Sequence, residues 1–538
     1  MPTQILNALR TFMHGNGAVL LPELQLLLFA VGMLVMDTWA DKDPTSRQRL
    51  WNPALALAGT IFSALTLWML HARIIESGDL DAFQVTLIVD SYFLYFSALF
   101  LAATALVILL SVNYPASFGL TQARSQARYY ALLLFACMGM MFMVSAVDLF
   151  VIFLAVETVA ITGYFLAATP GPSAKPTSTA ITPLTAGMLG SAILAYAFSL
   201  LYGLSGATNI GRVASALTRR SNVAKVIVLS QQAGAHGAEM YQLLQSRLPG
   251  SVHWHPFILA VLPISAFILI SIGILLKLTT TPFHSALKEA APGIAAPVLL
   301  FLCGAFAVVA IALLMRLALT IFAETQGLWW YIVAALALAM ILWGTYTSVL
   351  ETNLQRLLAS SSIAQIGFIL LGLVSANEGA LTGMSYYLFT YLFILTGAIA
   401  VLITVRHNGV AAEHLSDLAG LRRHNPISTI LLIVFVLALA GFPPTAGFLG
   451  RYLIFRSLLQ TAHPVLAWFA AIASIPLAYS YLRIAVYAWR NTGSPVESAA
   501  PSFGIPEAVV LGVCVFVSLA AGLYSEPFTR LARYAFGQ

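Results

Sequence analysis

A chain of 538 residues would ordinarily form several soluble domains, but 60% of this one is hydrophobic and only 9% is charged, against roughly 25% charged in globular proteins. With a mean hydropathy of +0.89 it lacks the polar residues to cover a soluble surface of that size, and it reads as an integral membrane protein with many spans. The net charge of +6 is small and scattered, which argues against nucleic acid as a partner. Cys137, Cys303 and Cys514 lie far apart inside apolar runs, so neither a disulfide framework nor a metal site follows from them.

Lipid offers the backbone no hydrogen-bond partners, so each span must be a helix or part of a closed barrel. The apolar runs are about 20 residues long and do not alternate with period two, which predicts an all-α polytopic protein. In chain order about fourteen spans are expected. They lie near 17–36, 53–71, 91–112, 129–147, 149–168, 184–204, 257–277, 296–322, 328–350, 361–376, 383–405, 428–446, 464–489 and 506–525. The opening segment has Glu23 in its apolar stretch and no small-residue cleavage site, and it reads as a retained first span. Lys42, Arg47, Arg49, Arg124, Arg128, Arg406, Arg422, Arg423 and Arg490 fall on one side of a fourteen-span chain, and Glu76, Asp79 and Asp81 on the other. The positive-inside rule then turns both termini outward, with the basic connection at 218–256 dissenting. Within that insertion, Ala224 to Leu248 has helical spacing and predicts a short surface helix with no assigned chemistry.

Two spans are interrupted alike. The seventh runs apolar to Leu276 and then meets Lys277, Pro282 and His284; the twelfth carries Gly441, Pro443, Pro444, Gly447, Gly450 and Arg451. Proline removes a backbone donor and clashes one turn back, so each helix is expected to open there. Ordinary kinks are the alternative for either one taken singly. A pair of interrupted helices five spans apart, each beside a cation, points to a repeat-built transporter. The organisation expected is a three-helix segment at 1–128, a first five-helix repeat at 129–323, a second and inverted repeat at 324–490, and a C-terminal helix at 491–538.

A charge at the bilayer centre costs about 2.5–3.5 kcal/mol on insertion scales, so each needs a reason. Glu157 sits mid-span and Lys277 ends its apolar run, and the two suit either a proton relay or a plain ion pair between helices. His284 suits a relay or a helix cap equally. Glu23 is expected to face other helices or the interface, and Asp148 to cap a helix. Lys288 and Glu289 read as a solvated loop.

These residues fall into a familiar order. Tyr130 to Ala136 followed by Gly139-Met140-Met141 and Asp148 to Glu157, then Lys277 with Pro282-Phe283-His284, the stretch Asn353 to Gly367, Asp417 to Leu421, and Leu439 to Gly450 together resemble the N-type antiporter-like subunits of respiratory complex I, the proton-pumping NADH:quinone oxidoreductase. The M-type, L-type and Mrp antiporter relatives share much of this pattern. The resemblance covers nearly the whole chain. It implies a membrane-arm subunit that couples quinone reduction elsewhere to proton movement along a buried polar axis. It places Glu157, Lys277 and Arg451 on that axis, and implies M-type and K-type neighbours in an energy-coupling membrane, most simply the bacterial inner membrane. It also implies no cofactor in this chain, with FMN, iron–sulfur clusters and quinone on other subunits. The alternatives are a subunit of a multisubunit cation/proton antiporter and a membrane-arm member that no longer pumps.

The departures from that family pattern all remove titrating groups. Ala307 stands where the family has a lysine in the eighth helix, Arg451 where it has one in the twelfth, Gln365 where it has a histidine, and Thr182 near a lysine of the sixth. A guanidinium does not release its proton in a protein. Water held by Ser361, Ser362, Gln365 and Tyr386 is therefore expected to bridge the gap between Lys277 and Arg451.

Overall fold

A computed structural model describes residues 16–39, 50–83, 85–113, 123–168, 178–219, 256–278, 290–407, 410–461, 463–490 and 504–537. The long apolar runs satisfy their backbone internally as helices, as a lipid environment requires. In chain order these are α1 (Leu21–Trp39), α2 (Trp51–Ser77), α3 (Ser91–Ser111), α4 (Ala123–Ser145), α5 (Leu149–Ala167), α6 (Ser178–Ser205), α7 (Pro256–Lys277) and α8 (Ala296–Thr320). There follow α9 (Gln326–Leu350), α10 (Leu354–Ser375), α11 (Glu378–Thr404), α12 (Pro426–Ala440), α13 (Ala446–Gln460), α14 (Pro464–Trp489), α15 (Ile505–Leu523) and α16 (Glu526–Tyr534).

Among the described residues twelve helices are long and apolar enough to cross a membrane, and α7 and the 15-residue α12 are apolar besides. α12 is the twelfth span, which the sequence marks as broken; the break expected after the seventh lies outside the described residues. Past the second break the chain resumes at once as α13, the far half of the broken twelfth span, which runs to Gln460, beyond the end expected near 446. Polar side chains start several of these helices where the sequence turns apolar. Asp90 accepts from the Phe93 N–H (2.8 Å), Asp148 from those of Phe150 (2.9 Å) and Val151 (3.4 Å), and Asn353 from that of Arg356 (3.1 Å). Such caps satisfy donors that a helix start leaves free. The Asn353 cap begins α10 seven residues before the expected 361, because Ser360, Ser361 and Ser362 fold into the helix and donate to the carbonyls of Arg356, Leu358 and Ala359.

α8 and α10 are surrounded by protein along their length, as suits helices that are apolar all round. α6 packs on α7, α4 on α1 and α5, α10 on α9, and α11 on α13. α8 contains one π turn, Leu302–Phe306, immediately before Ala307; the Tyr391 hydroxyl of α11 donates to the Cys303 carbonyl in that turn (3.2 Å). Between α2 and α3 a small antiparallel hairpin pairs β1 (Leu80–Ala82) with β2 (Leu87–Val89), Leu80 opposite Val89. The short C-terminal α16 docks back on the bundle, where the Tyr534 hydroxyl meets His71 Nδ1 at 2.9 Å.

Candidate functional site

Lys277 is the last residue of α7 and is only 2% exposed. It fits there because α6 and α7 approach closely at two facing glycines. A Cβ on Gly190 would lie 3.1 Å from Lys277 Cβ, and one on Gly273 3.2 Å from Leu194 Cβ. The lysine stem therefore runs along α6, and its ammonium donates to Glu157 Oε1 of α5 at 2.7 Å and to the Ser191 hydroxyl of α6. The Glu157 side chain is 22% exposed, so the pair has one dry end and one partly open end. Two turns along α5, the Tyr164 hydroxyl is buried with no partner among the described residues. The pair that the sequence suggested is thus assembled. Pro282 and His284, like Lys288, Glu289 and residues 220–255 of the insertion, lie outside the described residues, as does the side chain of Thr182.

Arg451, on the first turns of α13, occupies a second buried centre and is 5% exposed. α12 ends at Gly441, whose φ of +81° is a left-handed conformation that glycine adopts without cost. The end leaves four carbonyls without helical partners. Leu437 and Ala438 accept from the N–H groups of Phe442 and Gly441, each at 3.1 Å. Leu439 accepts from Arg451 Nη2 (2.6 Å) and Gln365 Nε2 (2.8 Å), and Ala440 from Arg451 Nη1 (2.8 Å). The guanidinium also donates to Gln365 Oε1 (2.9 Å) and, through Nε, to the Tyr387 hydroxyl (2.9 Å), and it lies 4.9 Å from the centre of the Phe368 ring. Tyr387 in turn donates to Gln365 Oε1 (2.6 Å), and Gln365 Nε2 donates to the Tyr481 hydroxyl (3.1 Å).

The carbonyls freed at this break are therefore capped by protein groups, while Pro443 and Pro444 themselves are exposed. Of the hydroxyls expected to hold water, Ser361 meets Tyr481 of this cluster and Ser362 meets Cys303 and Tyr391. Ser361 and Ser362 donate to carbonyls of their own helix, and Tyr386 donates to the Ala521 carbonyl of α15 (2.8 Å). Tyr387 and Tyr481 take the places that the sequence reading gave to Tyr386. The available signal was that a tyrosine buried in an apolar helix must bond its hydroxyl to something; which tyrosine faces the arginine depends on helix rotation.

A third centre was missed. Arg316, near the end of α8, pairs with Asp90 (3.0 Å), donates to the Val144 carbonyl of α4, and sits 5.4 Å from the Tyr92 ring centre. It ties α3, α4 and α8 together. Its signal was an arginine inside an apolar run, the same cost argument that singled out Lys277. Nearby Asp79, in the loop after α2, is raised above the usual carboxylate range, by partial desolvation first and then by the charges of Asp90 and Asp81. Glu23 is 2% exposed and faces other helices, its Oε2 without a partner among the described residues. Asp148 is a helix cap, as expected. No cluster of three or more metal-ligating side chains occurs among the described residues.

A family model described as "NADH:quinone oxidoreductase/Mrp antiporter, TM" matches residues 146–475, a span holding Glu157, Lys277 and Arg451. The chain is 31% identical over 518 residues to NADH-quinone oxidoreductase subunit N 2 of Solibacter usitatus, covering 96% of each protein. Its fold is similar to that of a chain of respiratory complex I from Thermus thermophilus, with a TM-score of 0.71, 23% identity, and 95% of this chain and 99% of that one covered. It is likewise similar to a chain of the Mrp complex from Dietzia sp., with a TM-score of 0.74, 18% identity, and 96% and 97% covered. By the extent of the family match and the length of the subunit N alignment, the chain belongs to the NADH:quinone oxidoreductase/Mrp antiporter transmembrane family, among the N-type subunits of NADH-quinone oxidoreductase.

Proposed function

We propose that this chain is the N-type membrane-arm subunit of a proton-translocating NADH:quinone oxidoreductase and that its Lys277–Glu157 pair is the element that takes up and releases a proton. The supporting observation is the pair itself, a lysine buried to 2% whose ammonium is held by a carboxylate at 2.7 Å and a hydroxyl. An ammonium in such a place is stable only while its counter-charge is near. When Glu157 is neutralised or drawn away, Lys277 gives up its proton; when the carboxylate returns, it takes one. Electron transfer elsewhere in the complex would drive that cycle through charge movement, and FMN, iron–sulfur clusters and quinone are assigned to other subunits. The likeness in fold to an Mrp subunit shows that the fold alone does not separate a redox-driven pump from an ion antiporter; the subunit N relative favours the pump.

The same reading assigns 129–323 and 324–490 to two inverted repeats. What supports it is recurrence: α5, α6 and α7 supply Glu157, the close-packed glycine and Lys277, and five spans later α10, α11 and α13 supply Gln365, Tyr387 and Arg451. It places M-type and K-type subunits as neighbours and the chain in a bacterial inner membrane. The test is Glu157→Gln in the assembled complex in vesicles. Protons moved per electron pair should fall while the subunit content of the membrane stays parental, and an unchanged ratio would leave the pair as a structural bridge.

A further inference from the structure

The two buried centres have the same construction and opposite chemistry. In the first, a carboxylate faces a lysine, and both partners can exchange protons. In the second, the corresponding helix offers the amide of Gln365, and the cation is a guanidinium. All four hydrogen-bonding positions of that amide are filled: its oxygen accepts from Arg451 and Tyr387, and its nitrogen donates to the Leu439 carbonyl and Tyr481. Arg451 itself uses four donors, on Gln365, Tyr387, Leu439 and Ala440. Among the described residues no carboxylate lies within ion-pair distance of it. Among these residues its positive charge is compensated by dipoles, chiefly the carbonyl end of α12, where a helix carries partial negative charge, and by the Phe368 ring. An amide does not pass a proton along a hydrogen-bonded chain as a hydroxyl or a carboxylate does, and a guanidinium keeps its proton. Neither Arg451 nor Gln365 supplies a moving proton, and the hydroxyls of Tyr387 and Tyr481 are bonded to these two.

We propose that Gln365 and Tyr387 are positioning residues that hold Arg451 as a permanent, immobile positive charge, so that the second repeat sets the electrostatic potential felt by the Lys277–Glu157 pair and carries no proton itself. This rests on the assignment of that pair as the protonic element. A fixed cation on the axis favours the ionised carboxylate and the neutral amine, and so helps Lys277 discharge whenever Glu157 is displaced.

The test compares charge with shape at two positions, reading protons per electron pair in vesicles and the subunit content of the membrane. Arg451→Lys keeps the charge and should hold the ratio near that of the parent, whereas Arg451→Met should lose the share of protons that passes through this subunit. Gln365→Met removes hydrogen bonds but leaves the charge. Gln365→Glu leaves the shape and cancels the charge, and near neutral pH it should pump less well than Gln365→Met, recovering as the introduced carboxylate is protonated at lower pH. Parental pumping by Arg451→Met, or Gln365→Glu pumping as well as Gln365→Met at every pH, would overturn the proposal. If Gln365→Glu does not assemble, the Arg451 pair of variants decides alone. Parental pumping by Glu157→Gln would instead sink the underlying assignment of the first repeat, whatever the Arg451 variants do.

Discussion

Among the described residues three cationic side chains are buried, and each is made tolerable differently. Lys277 has a carboxylate, Arg451 has carbonyls and an amide, and Arg316 has both a carboxylate and a carbonyl. Breaking a buried ion pair by removing one partner costs about 3–5 kcal/mol, because the other charge is stranded, whereas replacing both members by apolar groups is often neutral. Asp90→Asn should therefore reduce the amount of subunit in the membrane, and the double change Asp90→Asn with Arg316→Met should restore part of it. Subunit content after mild heating is the measurement. Recovery would show that Asp90 and Arg316 hold α3, α4 and α8 together without taking part in proton movement; pumping lost in the double variant at full subunit content would assign them a part in it.

At the scale of the helix, function depends on two local geometries. The first is the approach of α6 and α7 at Gly190 and Gly273. Gly190→Val would push its branched side chain into the Lys277 stem, whose Cβ already lies 3.1 Å from an ideal Cβ. The pair should separate, and proton pumping should drop with electron transfer left less affected, read as the ratio of the two. The second is the end of α12. The sequence predicted an opening there; the structure shows the carbonyls of Leu439 and Ala440 already capped by Arg451 and Gln365. Replacing Pro443 and Pro444 together with Ala permits a longer helix, whose own N–H groups would compete for the carbonyls of Leu439 and Ala440. Arg451 would then lose two of its partners, and pumping and thermal resistance of the subunit should decline together. A loss of pumping with thermal resistance untouched would restore the water-lined reading.

For the whole molecule, what could be read from sequence is what composition and spacing control. Runs of apolar residues gave the spans, and the energetic cost of charge in lipid singled out Glu157 and Lys277. Proline and glycine marked the twelfth span as broken. What could not be read depends on rotation and depth: that Tyr387 and not Tyr386 faces Arg451, that Ser361 and Ser362 bond within α10, and that Arg316 reaches Asp90 from 226 residues away. Neighbouring residues on a helix face different ways, and periodicity in a helix apolar on every side does not say which way. The π turn before Ala307 was likewise invisible, since no residue type marks it. The most direct measurement of the central claim replaces both members of the first pair, Glu157→Leu with Lys277→Met, and follows NADH oxidation and proton uptake together in sealed vesicles. The account predicts an assembled complex that oxidises NADH within about twofold of the parent, as a buried pair exchanged for apolar groups allows, yet moves fewer protons per electron pair. A parental proton-to-electron ratio in that variant would show that no proton passes through Lys277 and Glu157.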